Sequence, residues 1–183
     1  LYELGPAGTR TAITEADGRR VDYTYDHTYQ LRSETVTGGV GAGSTFFSYD
    51  ANGNRASEAT ASGTRSYTYD ANDRLLSDGV ASYTFDANGN MRTRTSSAGT
   101  MTFTWDARDR LIAVATPLHG IQHVYDAQGL RVRRVVDGVG TDYLVDRNHG
   151  FGDVLEERGP GSPVRYLYGE DLVRETAGTS AVH

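Results

Sequence analysis

The sequence contains no cysteine and no lysine, only four prolines and a single tryptophan, and no apolar run of membrane-spanning length. Without cysteine there is neither disulfide stapling nor a thiolate metal site, although compartment stays open, since many secreted bacterial proteins lack disulfides. Without about 18 consecutive apolar residues there is no transmembrane helix. All 18 cationic residues are arginines, and they are scattered through a chain of net charge -6. No basic face of the kind that binds nucleic acid is therefore expected. The all-arginine usage reads as coding bias, though arginine also suits paired and stacked sites. The chain begins at Leu1 with no charged-then-apolar leader, which reads as an excised piece or a processed product.

What the sequence does have is a repeat, and repeats decide the fold. "YTYDHTYQL" from Tyr23 recurs as "FSYDANGNR" from Phe47, "YTYDANDRL" from Tyr67, "YTFDANGNM" from Tyr83, "FTWDARDRL" from Phe103 and "HVYDAQGLR" from His123. A weaker copy, "YLVDRNHGF", starts at Tyr143, and a degenerate one, "YLYGEDLV" from Tyr166, has Gly169 in the aspartate's place. The aspartates fall at 26, 50, 70, 86, 106, 126 and 146, spaced by 24, 20, 16, 20, 20 and 20 residues. Each copy pairs an aromatic with the aspartate: Tyr25 and Asp26, Tyr49 and Asp50, Tyr69 and Asp70, Phe85 and Asp86, Trp105 and Asp106, Tyr125 and Asp126. These pairs are the structural repeat motif.

Aromatic, hydroxyl, aromatic, aspartate is the period-two alternation of a strand with one buried face. The other face carries Thr24, Ser48, Thr68, Thr84 and Thr104, then Val124 and Leu144. We expect the last two copies to be covered on both faces. Three residues past each aspartate stand Tyr29, Gly53, Asp73, Gly89, Asp109, Gly129 and His149, so glycine alternates with non-glycine. Two positions later the non-glycine copies carry Leu31, Leu75, Leu111 and Phe151, and the glycine copies Arg55, Met91 and Arg131. The true repeat is a double unit near forty residues. Gly53, Gly89 and Gly129 are the turn glycines, placed where the backbone needs a left-handed residue.

A second series of turn signals, among them "TGGVGAGS", "SDGVAS", "TPLHG" and "RGPGSP", closes the opposite strand ends. The expectation is an all-β fold: a coiled antiparallel sheet of hairpins in meander order, one repeat domain over residues 1–183. Seven clear copies span 23–151 and a degenerate last repeat 152–183. Some eight hairpins give roughly sixteen strands, more than an open sheet usually holds without curling. The aromatics should stack as a ladder that forms the core, each pair adding about 0.5 to 1 kcal/mol beyond burial.

Sharper chemistry fails at the level of residues. Asp50, Asn52 and Asn54 sit like the first oxygen ligands of a calcium loop, but Arg55 stands where its glycine belongs and Ala61 where its closing carboxylate belongs. His119 and His123 are four apart, without the helix that would align them on zinc. There is no G-x-S-x-G nucleophile turn. Glu156 and Glu157, or Glu170 and Asp171, are adjacent and so point to opposite faces of a strand, which rules out a glycosidase pair. No catalytic, metal-binding or cofactor residue is assigned, and no enzymatic activity is expected.

"YTYDANDRLLS", "YTFDANGNM" and "HVYDAQGLRVRR" resemble the tyrosine–aspartate repeats of the RHS (rearrangement hot spot) family. The tail, "YLVDRNHGFGDVLEE" followed by "VRYLYGEDLV", is similar to the segment preceding the C-terminal core of bacterial RHS proteins. The resemblance covers about residues 10 to 175. It implies a β-strip wound into a hollow shell around a polypeptide, commonly the toxic C-terminal domain of an exported bacterial polymorphic toxin. Insecticidal toxin-complex C components and animal teneurins are similar in architecture. It implies a non-enzymatic scaffold, secreted or at the cell surface, whose partners are the remainder of its own polypeptide and that cargo. The core motif that cleaves the chain in some members is absent here, so self-cleavage carries over to no residue. Two other associations are weighed: homo-oligomers through exposed strand edges, and a glycan. For the glycan, aromatics outside the ladder are needed, and Tyr2, Tyr29, Phe46 and Phe151 are the candidates.

Overall fold

A computed structural model describes residues 1–148, 152–168 and 172–177. His149, Phe151, Gly169, Glu170, Asp171 and His183 lie outside the described residues. Among those described there are nineteen strands and no helix. They are β1 (Tyr2–Leu4), β2 (Arg10–Thr14), β3 (Arg20–Tyr25), β4 (Leu31–Thr37), β5 (Gly43–Tyr49), β6 (Arg55–Thr60), β7 (Gly63–Ser66), β8 (Thr68–Tyr69), β9 (Leu75–Ser77) and β10 (Ala81–Phe85). There follow β11 (Met91–Ser96), β12 (Gly99–Trp105), β13 (Leu111–Ala115), β14 (Gly120–Tyr125), β15 (Arg131–Val136), β16 (Val139–Asp146), β17 (Asp153–Arg158), β18 (Val164–Tyr168) and β19 (Leu172–Ala177). They pair antiparallel in chain order as two sheets, β1 to β7 and β8 to β19, neither closed into a barrel. The chain gathers into two compact units, Leu1–Tyr83 and Thr84–His183.

The strand number exceeds the sixteen expected for two reasons. A further copy of the turn precedes the first recognisable one, at Gly5, where Gly5 N–H donates to Thr9 O (2.8 Å) and Gly8 N–H to Gly5 O (2.9 Å). At Tyr67 the strand is divided: Tyr67 N–H still bonds Ala56 O (3.0 Å) on the β6 side, and from Thr68 the chain pairs with β9 instead, so β7 and β8 are separate strands.

Register is set at the aspartate ends. Each pairing slips by one residue just before the aspartate: at Thr24/Tyr25, Ser48/Tyr49, Thr68/Tyr69, Thr104/Trp105, Val124/Tyr125 and Leu144/Val145. A type I turn followed by one left-handed residue builds such a bulge and imposes extra right-handed twist.

The aromatic ladder is not the fully buried core. In the first unit the buried apolar residues are Ala12, Val21, Val36 and Ala81, and in the second Val114. Tyr25, Tyr49, Tyr69, Phe85, Trp105 and Tyr125 are half-buried. Rings this large overhang the sheet and keep one rim in water, whereas a small aliphatic between two rings disappears beneath them. Arginines cap part of the remaining surface: Arg10 over Tyr2 at 4.7 Å, Arg55 over Phe47 at 4.8 Å and Arg131 over Tyr143 at 5.2 Å from the ring centres. In two of the three glycine copies the residue five past the aspartate, Arg55 or Arg131, lays a guanidinium on the ladder, whereas the third has Met91 and the non-glycine copies among the described residues carry leucine there.

The expectation that the last copies are covered on both faces is corrected. Val124 is 46% and Leu144 50% exposed.

Candidate functional site

Each repeat aspartate closes its own turn by the same bonds. Asp50 Oδ1 accepts from Asn52 N–H and Asn54 N–H, both at 2.9 Å, while Asp50 N–H donates to Asn54 O (2.9 Å) and Gly53 N–H to Asp50 O (3.1 Å). Asp26 holds Thr28 and Gln30 in the same way, Asp70 holds Asn72 and Arg74, Asp86 holds Asn88 and Asn90, Asp106 holds Arg108 and Arg110, and Asp126 holds Gln128 and Leu130. Asp146 Oδ1 takes Asn148 N–H at 2.9 Å. A short side chain that bonds its own backbone two and four residues on pre-forms the turn.

The third residue past the aspartate is left-handed in both turn variants: φ is 91° at Gly53, 93° at Gly89 and 92° at Gly129, and 64°, 59° and 57° at Tyr29, Asp73 and Asp109. Aspartate tolerates this region better than most side chains, and here the following carboxylate is put to use. Within the first unit Asn52 Nδ2 and Asn54 Nδ2 both donate to Asp73 Oδ1, at 2.8 and 2.6 Å. Within the second, Asn88 Nδ2 and Asn90 Nδ2 do the same to Asp109 Oδ1, at 2.9 and 2.7 Å. A glycine turn therefore clasps the next, non-glycine turn. Arg147 continues the row by donating to Asp126 Oδ2 at 2.8 Å.

These bonds favour the charged carboxylates. Asp106 is drawn down to about 2, first by the Arg110 side chain, which donates to its Oδ2 at 2.7 Å, and then by the Arg110 backbone N–H. Asp26 is lowered chiefly by the Thr28 hydroxyl, and Asp70 by Arg74 N–H. At Asp50, Asp86 and Asp126 desolvation pushes upward, but the combined turn donors outweigh it and the carboxyls lie below their ordinary value.

The repeat aromatics have a polar task that the sequence did not disclose. Tyr25 OH donates to Arg10 O (2.8 Å), Tyr49 OH to Leu31 O (2.8 Å), Tyr69 OH to Arg55 O (3.0 Å) and Tyr125 OH to Leu111 O (2.9 Å). Trp105 Nε1 makes the equivalent bond to Met91 O at 2.8 Å. In every case the acceptor is five residues past the previous turn's aspartate or, for Arg10, past Gly5. Tyr and Trp supply a ring for the ladder and a donor at its rim; Phe85 supplies the ring alone. The constant offset was the signal that sequence reasoning could have followed.

The remaining candidates separate. His123 lies in the ladder with no partner for Nδ1 among the described residues, and burial, then Arg131 and Arg134, hold it below the ordinary imidazole value. His119 Nδ1 instead meets Asp137 Oδ2 at 2.6 Å, in a turn pair at the opposite strand ends. Glu156 faces Arg158 and Arg165, whereas Glu157 takes Tyr166 OH at 3.2 Å. Tyr2, Tyr29 and Phe46 are 65%, 62% and 56% exposed and belong to β1, the first aspartate turn and β5.

The second unit also presents an outward row. Two residues before each aspartate position stand Thr84, Thr104, Val124, Leu144 and Leu167, all exposed, on alternate strands β10, β12, β14, β16 and β18. Thr84 bonds Thr93 through their hydroxyls at 2.7 Å. Val124, Leu144 and Leu167, the last 59% exposed, stand instead opposite Arg133, Glu156 and Arg174. A shallow depression of about 290 Å³ adjoins the row, lined in part by Thr104, Ala113, Ala115, Gly120, Gln122 and Val135.

Comparison with solved structures finds the same fold in the crystal structure of TcdB2-TccC3-TEV, at a TM-score of 0.63 and 16% identity over 97% of this chain. The crystal structure of TcdB2-TccC3 without its hypervariable C-terminal region gives a TM-score of 0.54 and 17% identity over 97%. The chain spans 11% and 10% of those two chains. No curated protein matches it. Among the described residues no helix is long and apolar enough to cross a membrane. Comparison with protein families matches residues 8–147, well over half of the sequence, to the teneurin YD-shell. With the tyrosine-to-carbonyl bonds and aspartate turns already in place, the conclusion is that this chain belongs to the YD-shell family of RHS-type repeat proteins.

Proposed function

We propose that this chain is a section of non-enzymatic shell wall that encloses a polypeptide made with it, a C-terminal toxin domain of an exported bacterial protein, and shields it until delivery. The observation that carries the proposal is the change along the exposed row from Thr84 and Thr104 to Val124, Leu144 and Leu167. The Thr84–Thr93 hydroxyl pair and the Thr104 hydroxyl are satisfied in water. Three aliphatics on alternate strands, about 10 Å apart, are apolar surface that a covering chain removes from water. The exposed arginines beside two of them, Arg133 and Arg174, offer polar grips for that chain's backbone carbonyls and acidic side chains.

The full reading frame, expressed and purified intact, tests this by mass spectrometry. A C-terminal piece that stays bound to the repeats supports the wall. Repeats that purify alone and bind a sugar saturably, with quenching of Trp105 fluorescence, replace it with a glycan-binding module. Pairing of two copies through the outer strand β1 is a further association open to an edge strand, and a monomer by light scattering over a wide concentration range removes it.

A further inference from the structure

Two of the three glycine turns contain an asparagine directly before the glycine, Asn52–Gly53 and Asn88–Gly89. That dipeptide has a reaction of its own. The glycine nitrogen, with no Cβ to obstruct it, attacks the asparagine Cγ. The new N–Cγ bond closes a five-membered succinimide, and the Cγ–Nδ2 bond breaks to release ammonia, which carries away the amide proton. Water then opens the ring at either carbonyl, leaving aspartate or isoaspartate. Asparagine is for this reason among the thermolabile residues.

The fold opposes the attack in two places. Gly53 N–H is engaged with Asp50 O at 3.1 Å and Gly89 N–H with Asp86 O at 3.2 Å, so each nucleophile sits inside its turn. The leaving groups are held as well, Asn52 Nδ2 on Asp73 Oδ1 at 2.8 Å and Asn88 Nδ2 on Asp109 Oδ1 at 2.9 Å. Those bonds direct each side-chain amide toward the next turn. The product has the opposite character. A carboxylate in place of either amide faces the carboxylate of Asp73 or Asp109, and like charges at that distance repel.

We propose that Asn52 and Asn88 are latent deamidation sites, guarded by the left-handed aspartate of the following turn, so that opening of a turn pair is converted irreversibly into a repelling one. The inference rests on the turn geometry and is independent of what the shell encloses.

Asp109→Gly tests it. Glycine suits the left-handed position and removes the acceptor of Asn88, while Asp73 and Asn52 are untouched. The variant and the parent chain are incubated at mildly alkaline pH, and tryptic peptides are followed by mass spectrometry for the gain of one mass unit and for isoaspartate. Conversion at Asn88 should rise several-fold with Asn52 unchanged. Asp73→Gly should do the converse; the asparagine–glycine step it introduces after Asn72 falls in a different tryptic peptide from Asn52 and is read separately. In the parent chain both sites should convert far more slowly than in urea. Parent rates that match the unfolded chain, or equal acceleration at both sites in both variants, would overturn the proposal.

Discussion

The two ends of the strands are built on different principles. At the aspartate end six connections, 26–30, 50–54, 70–74, 86–90, 106–110 and 126–130, have the same five-residue length and the same bonds. At the other end the connections vary, from two residues at 61–62, 97–98 and 137–138 to five at 15–19, 38–42 and 159–163. Their bonds are improvised: Asp78 Oδ1 takes Val80 and Ala81 N–H, Thr116 Oγ1 takes Leu118 and His119 N–H, and Asp137 reaches across to His119 and Gly120. One end fixes register and clasps turn to turn, while the other absorbs differences in length. A repeat can therefore drift in spacing between 16 and 24 residues and still keep its aromatics on one face.

The most severe way to break this contrast is to insert one serine at each end. Between Asn88 and Gly89 the insertion shifts every following side chain to the wrong face, and thermal melting should lose cooperativity or fall by more than about 10 °C. After Gly39, in the long opposite loop, the same insertion should move the midpoint by no more than about 2 °C, since loop length costs little.

Acid comes next, because the aspartate turns titrate together. Their folded carboxyls lie below the ordinary value of 3.8 and Asp106 near 2, so the stability they confer is complete above the ordinary value and is lost as pH falls through the folded one. Melting temperature should drop steeply between about pH 4 and pH 2, and Asp106→Asn should flatten part of that drop. Trp105→Ala should cost about 2 kcal/mol in denaturant unfolding, below a fully buried tryptophan because the ring is half-exposed. Trp105→Phe isolates the bond to Met91 O and should cost about 1 kcal/mol, as should Tyr49→Phe, which removes the bond to Leu31 O.

The aspartate turns were legible because their chemistry is local: an aspartate, the backbone N–H groups it accepts from two and four residues on, and a left-handed position between them all lie within five residues of sequence. The clasp from Asn52 and Asn54 to Asp73 was not, because it joins residues 21 and 19 apart and depends on which turns become neighbours. Gly5 escaped notice since it forms the turn's backbone bonds without the carboxylate that marks the others. The ladder was correctly placed on one face, but aromatic periodicity reports which side a ring is on and not how deeply it sits, so Val21, Val36 and Val114 were overlooked as the buried residues. Val124 and Leu144 misled for the same reason. Apolar character at a strand position says that something should cover it, and within the described residues nothing covers these two.

That exposed row is where the functional account stands or falls. In the full reading frame, a photo-crosslinking amino acid placed at position 144 and, separately, at position 104 reads out what touches each part of the row. The account predicts a crosslink from position 144 to polypeptide C-terminal to the repeats, and a weaker one or none from position 104. Crosslinks equally strong from both positions, or from position 144 only to solvent or to a second copy of the repeats, would contradict it.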